Sequence, residues 1–297
     1  MGAIANLFGY LLNFLYNLFN NYGIAIIVFT ILLRVILIPI TILQQKTMKK
    51  SAKMQEKMKE IQTKYKNNPE KLNQETIALY KKEKMSPFSG CLPSILQIII
   101  ILSVFWLVSK PLTYMKKIDT TVIEGYENQI KEEDGKMSAY PEIQVIQRNP
   151  QNDENVKINM DLFGLDLSKV PNQNLKDFSV YIIPILYVIT SFVSIKINNK
   201  LQENKKDKNK EEIVTVDKEE KEGENQENQK DSSEEALESM QDMTKSMNYM
   251  IPIMSISIAF IAPLGLALYW LISNILMIVE RLIIDKVYNK KEEEENA

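Results

Sequence analysis

The chain has no histidine and one cysteine, Cys91. Without His there is no imidazole general base, no imidazole metal ligand and no Ser–His pair. A single Cys permits neither an internal disulfide nor a thiolate cluster for zinc. Any catalyst would have to rest on Lys, Asp or Glu, and no metal or cofactor is expected. Two further signals are missing near the start. No early Lys or Arg and no small-residue cleavage site mark a cleavable leader, and no early Cys offers a lipid attachment point.

What is present is segregated. The mean hydropathy is −0.17 and the formal net charge −2, but apolar runs alternate with runs of Lys, Glu, Asn and Gln. Five apolar runs have membrane-spanning length: Tyr22–Leu43, Ser94–Leu112, Phe178–Ile195, Met247–Pro263 and Leu264–Ile284. Each is near the roughly 20 residues needed to cross about 30 Å of hydrocarbon. Buried helices of a soluble protein would show polar faces, and "ILQIIIILSVFWLV" shows almost none. The expected fold is therefore an all-α polytopic membrane protein with five spans.

Residues 1–21 read differently. Asn6, Asn13, Asn17 and Asn20 form one helical stripe, with Leu and Phe around the rest. That pattern suits an amphipathic helix lying in the interface. The remaining divisions are spans at 22–44, 93–115, 178–197 and, paired, 247–285. Between them lie connections at 45–92, 116–177 and 198–246, and a tail at 286–297.

Basic residues set the expected orientation. Gln45–Ser86 holds twelve Lys against five Glu, a net of +7, with six Lys between Lys46 and Lys59 directly after the first span. This connection is expected in the cytoplasm, with the N-terminus outside and the C-terminus inside. Lys116–Lys176 carries eight basic and eleven acidic residues and is expected outside. Asn198–Ser246 carries nine Lys and fifteen acids and is expected inside; its central part, Glu203–Glu235, has the composition of a disordered segment.

The first cytoplasmic connection shows a seam. Met54, Met58, Ile61 and Tyr65 step by four, three and four, and Leu72, Thr76, Leu79 and Tyr80 share a second face beyond Asn67-Asn68-Pro69. A basic antiparallel helical hairpin follows, whose Lys suit lipid headgroups or ribosomal RNA phosphates equally. Met240, Met243, Met247, Met250 and Met254 also keep helical spacing, which fits ordinary packing or a pliable surface for apolar partners.

The first span holds "VFTILLRVILIPIT", with Arg34 at its middle. A guanidinium keeps its charge in proteins, and Arg34 lies about 15 Å from either membrane surface, too deep for easy snorkelling. Thr30 and Thr41 share its face. Gln97, Thr190, Ser191, Ser194, Ser255, Ser257, Ser273 and Asn274 supply polar groups in other spans. Two arrangements fit: a buried ion pair with Glu280, or an open hydrated cavity.

These residues carry a family likeness. "KMQEKMKEIQTKYKNNPEKLNQETIALYKKEKMSPFSGCLPSILQ" resembles the cytoplasmic hairpin and second-span approach of the YidC/Oxa/Albino membrane protein insertases. "LFGLDLS", Leu162–Ser168, resembles their segment before the third span, and "MNYMIPIMSISIAFIAPLGLALYWLISN", Met247–Asn274, their last two spans. The resemblance covers most of the chain outside residues 116–157 and 203–240. It implies five spans around a hydrophilic groove that is open to the cytoplasm and lipid and sealed outside. Arg34 then corresponds to the groove charge, with Thr30 beside it and Gln97, Trp270 and Asn274 at matching groove positions. A hydrophobic slide for clients would run along Ile182, Ile183, Leu186, Leu266 and Leu268. The chain departs from the family pattern in its longer outer loop, its acidic cytoplasmic insert and Glu280-Arg281 where a Gln is usual.

The implied function is insertion of nascent membrane proteins into the plasma membrane, with the ribosome and the Sec translocon as partners. No small-molecule substrate and no catalytic residue are expected. A small-solute transporter with an intramembrane charged site is the alternative; it calls for inverted repeats or broken helices around a midplane site, and no internal repeat is visible. A purely structural assembly factor for membrane complexes is the third reading.

Overall fold

Two consecutive Asn open the architecture. Asn20 takes a left-handed conformation, φ 48°, and closes helix α1 (Gly2–Phe19). Asn21 is extended, and its side-chain oxygen accepts from the Ile24 N–H at 3.0 Å, which caps α2. The structure is a computed structural model that describes residues 2–66, 68–83, 92–197 and 257–295. The acidic insert, most of the expected fourth span, the Met240–Met254 stripe, Ser255 and Cys91 lie outside the described residues.

Helix α2 runs unbroken from Tyr22 to Lys64, 43 residues. Its stretch Tyr22–Gln44 is long and apolar enough to cross a membrane; the rest continues as the first arm of a helical hairpin. Pro39 sits inside this helix without ending it, a placement that membrane helices tolerate. Asn68 then caps α3 (Pro69–Lys82) by accepting from the Lys71 N–H at 3.1 Å, with Pro69 at the first helical position. The arms meet where Met54 and Leu79 are buried. Thr76 donates to the Met58 sulfur at 3.6 Å, and Lys57 bonds Glu83 at 2.6 Å.

Helix α4 (Leu92–Ser109) carries the apolar stretch Ile98–Ser109 and leads into a π turn at Leu112–Lys116. Residues 117–177 then build a small cap. It contains α5 (Thr120–Asp134), α6 (Pro141–Arg148) and a hairpin of β1 (Asp161–Leu162) with β2 (Leu165–Asp166). Asp161 pairs with Asp166 and Leu162 with Leu165. The hairpin turn is Phe163-Gly164, both at positive φ (54° and 84°), as a two-residue turn of this hand requires. Helix α7 (Phe178–Ile197), a helical segment at 257–261 and helix α8 (Leu264–Glu295) complete the described chain.

The cap satisfies the first N–H groups of two membrane helices, which have no intrahelical partner. Tyr22 N donates to Asn159 O, Leu264 N to Lys169 O and Gly265 N to Leu167 O, each at 2.9 Å. Helices α2 and α8 therefore start on the same side and run parallel. The most completely buried side chains, among them Tyr22, Ile26, Phe29, Leu107, Leu167 and Leu266, gather at this end.

Four described helices are long and apolar enough to cross a membrane: α1, the first part of α2, α7 and Leu264–Ile284 of α8. The last three coincide with expected spans. Helix α1 has the length as well, yet it touches cap-side elements from end to end. Lys117 bonds Asn6 at 2.6 Å, Gly9 lies against the Tyr114 carbonyl, and the Asn159 N–H donates to the Tyr16 hydroxyl at 2.9 Å. A helix of this size is about 27 Å long, so contact with one rim at both ends lays it along that rim. Ala5, Leu12, Leu15 and Tyr16 face the bundle, while Leu7, Tyr10, Phe14 and Leu18 stay exposed.

Candidate functional site

Arg34 lies about 18 Å along α2 from Tyr22, past the densely packed end. Helix α8 presents Tyr269, Ser273 and Glu280 towards it; spacings of four and seven keep these three on one face. Arg34 Nη2 donates to Ser273 Oγ at 2.7 Å, and buried Tyr269 precedes that serine by one turn on the same face. Arg34 Nη1 is 3.7 Å from Glu280 Oε2, with side-chain exposures of 16% and 10%. A close charge-assisted hydrogen bond spans about 2.7–2.9 Å, so this ion pair is loose. The other Glu280 oxygen is buried and has no hydrogen-bond partner among the described residues. Arg281, next along the helix, is half-buried.

The neighbouring face of α8 turns to α7. Asn274 Nδ2 donates to Thr190 Oγ1 and Ser191 Oγ, both at 3.2 Å. One turn towards the cap, the Trp270 and Tyr187 rings lie 6.2 Å apart. Ser191, Ser194, Ser273 and Asn274 are all buried. Two polar clusters thus share α8, one reaching α2 and the other α7. Among the described residues no group of three or more Cys, Asp or Glu could hold a metal ion.

The structure brings Arg34 together with Ser273 and Glu280, and Asn274 with Trp270 on the adjacent face. Thr30 is buried, but its hydroxyl donates to Ile26 O at 2.6 Å and is committed to its own helix. Gln97 lies on α4, and its side chain is outside the described residues. The expected slide divides. Ile182 and Leu186 are exposed on α7, whereas Ile183, Leu266 and Leu268 are buried and pack between helices. Residues 262–269 are enclosed on every side beneath the cap, which removes Leu266 and Leu268 from the outer surface. The apolar surface beyond them comes from Ile189 and Phe192 on α7 and Ile275, Val279 and Leu282 on α8. Sequence reasoning missed the Arg34–Ser273 bond; the seven-residue spacing of Ser273 and Glu280 on the last span was the available signal.

The cap has its own electrostatics. Glu142 of α6 is buried, and its carboxylate accepts from Thr113 N at 3.0 Å and Thr113 Oγ1 at 2.6 Å, tying the π turn to α6. Burial pushes the Glu142 carboxyl above its ordinary range, against the lowering effect of these bonds. Asp177 is held down to about 2, first by the bond from Lys169 at 2.7 Å and then by those from Ser179.

The sequence model of the 60Kd inner membrane protein family matches residues 14–292. The membrane protein insertase YidC of Caldanaerobacter subterraneus subsp. tengcongensis is 45% identical over 105 residues, 35% of this chain and 51% of that protein. Its namesake in Treponema denticola is 26% identical over 281 residues, 95% of this chain and 37% of that protein. That of Syntrophus aciditrophicus is 52% identical over 87 residues, 29% of this chain and 16% of that protein. The chain spans about half the length of the first of these relatives and less of the other two.

Proposed function

From the premise that the chain belongs to the 60Kd inner membrane protein family, we propose that it is a membrane protein insertase, the activity for which its YidC relatives are named. The observation that carries the reading is a guanidinium about halfway along the first span, bonded to Ser273, partly exposed and only loosely paired. It lies beneath a cap that takes up the first N–H groups of α2 and α8. The cap faces the outside, and the Lys-rich hairpin faces the cytoplasm, as the basic residues of Lys46–Lys59 favour.

Arg34 draws acidic residues of a client's short outer tail into a polar groove. Outside bulk water a charge pair is attracted more strongly than in it, and a groove shortens the hydrocarbon a polar tail must cross. The client's apolar segment then leaves for lipid past α7 and α8, along Ile182, Leu186, Ile189, Ile275 and Val279. No covalent bond changes, so no residue is catalytic. The hairpin receives nascent chains from the ribosome or the Sec translocon.

The test is insertion of single-span clients by purified protein in vesicles, with and without Sec components. Arg34→Ala lowers insertion of clients with acidic tails about tenfold, a fraction of the Coulomb energy of a pair at 4 Å and intermediate dielectric. Arg34→Lys keeps most of it, because the charge remains. Normal rates for the Ala variant would refute the electrostatic step.

A further inference from the structure

We propose that Glu280 is a built-in competitor for Arg34 that widens the range of client tails the site accepts, an inference that rests on the insertase reading above. Three observations support it. The Arg34–Glu280 contact is 3.7 Å, long for a pair whose only task is to neutralise a buried charge. Glu280 Oε1 is buried and, among the described residues, unpartnered, an unfilled acceptor beside the pair. And Glu280 lies about 24 Å along α8 from Leu264, whereas Arg34 lies about 18 Å along the parallel α2. The carboxylate thus sits nearer the hairpin end, on the path of a chain arriving from that side.

The consequence is an exchange of partners. An acidic tail must displace Glu280 from Arg34, so its gain is the difference between two carboxylates rather than a full ion pair. A basic tail draws Glu280 away from Arg34 and takes up its unfilled oxygen once the pair opens. Selectivity is a difference of affinities, and a resident counter-charge flattens it. Glu280 is here a specificity-determining residue: it adjusts which tail charge is favoured and is not needed for insertion as such.

The experiment uses the full chain in vesicles and three single-span clients that differ only in two tail residues: Asp-Asp, Asn-Asn or Lys-Lys. Glu280→Gln raises the Asp-Asp to Lys-Lys insertion ratio by about tenfold, with the Asn-Asn client as the neutral reference. Glu280→Asp keeps the charge on a shorter arm and shifts the ratio in the same direction, by about threefold. If Glu280→Gln fails to accumulate in the membrane, the Asp variant decides alone. The double variant Arg34→Gln with Glu280→Gln inserts all three clients at rates within about threefold of one another. An unchanged Asp-Asp to Lys-Lys ratio in the Gln variant, or in the Asp variant where that decides, overturns the proposal. So does a Gln variant that loses all three clients equally. Failure of the parent protein to insert even the Asn-Asn client would instead overturn the insertase reading.

Discussion

The two ends of the membrane helices are held in different ways. At the cap end, backbone N–H groups of α2 and α8 bond to cap carbonyls, Glu142 clamps the π turn, and α1 closes over the side. Beyond the midpoint the described helices meet through a few side-chain bonds: Arg34 to Ser273, Asn274 to Thr190 and Ser191, and one loose ion pair. Backbone groups inside a membrane have no water to fall back on, so an end sealed by backbone bonds is costly to open. Side-chain bonds between membrane helices are worth less, on average about 0.6 kcal/mol in double-mutant cycles. The described helices are thus firmly held at the cap end and more loosely held beyond the midpoint, where the proposed function has a client pass.

Substitutions at each end test this contrast. The largest effect is expected at Gly9, where an added Cβ would lie 1.8 Å from the Tyr114 carbonyl oxygen. Backbone cannot move aside cheaply, so Gly9→Ala costs about 3 kcal/mol. It also frees residues 1–21 to proteases added on the cap side. Thermal unfolding of the full chain in detergent and timed proteolysis read both; an unchanged midpoint would mean that α1 is not part of the seal. A smaller change, about 1 kcal/mol, is expected for Asn274→Leu, which removes two interhelical bonds from the pliable region. A loss as large as that for Gly9→Ala would erase the contrast.

The smallest effect is pH-dependent and confined to the cap. Asp177 titrates lower in the folded chain than its ordinary 3.8. Its contribution is present above that value and disappears as pH falls towards about 2. Glu142 titrates higher than usual; its contribution has the opposite sign, growing as pH falls through its raised value and lost as pH rises through it. Hydrogen exchange of the cap amides, corrected for intrinsic rates, is expected to slow slightly as pH falls through the raised Glu142 value. Protection at residues 166–180 then falls below about pH 4. Glu142→Gln removes the first response and leaves the second.

The sequence disclosed the helical membrane class and most span positions, because apolar runs of this length have few other uses. Arg34 stood out for the same reason, as a charge where charges are costly. Ser273, Asn274 and Glu280 were visible as polar groups in spans, but their pairing depends on helix rotation, which hydropathy does not encode. Leu266 and Leu268, expected on the client slide, are buried for the same reason: under a cap every face of a helix is covered, and in sequence a buried Leu looks like an exposed one. The unbroken course of α2 was masked by the change from apolar to basic at Gln44–Lys46. The cap's hold on the α2 and α8 N-termini uses backbone groups, which any sequence of the right shape would supply.

The continuity of α2 has a mechanical consequence. One rod about 65 Å long joins the capped end, the partly exposed guanidinium and the tip of the basic hairpin, with no loop between them. Force applied where the hairpin begins is delivered to Arg34 through consecutive backbone hydrogen bonds. The weakest joint on that route is Pro39, which lacks the N–H that would bond back to Val35. A load on the hairpin lever therefore bends at this hinge, little more than one turn from the charge.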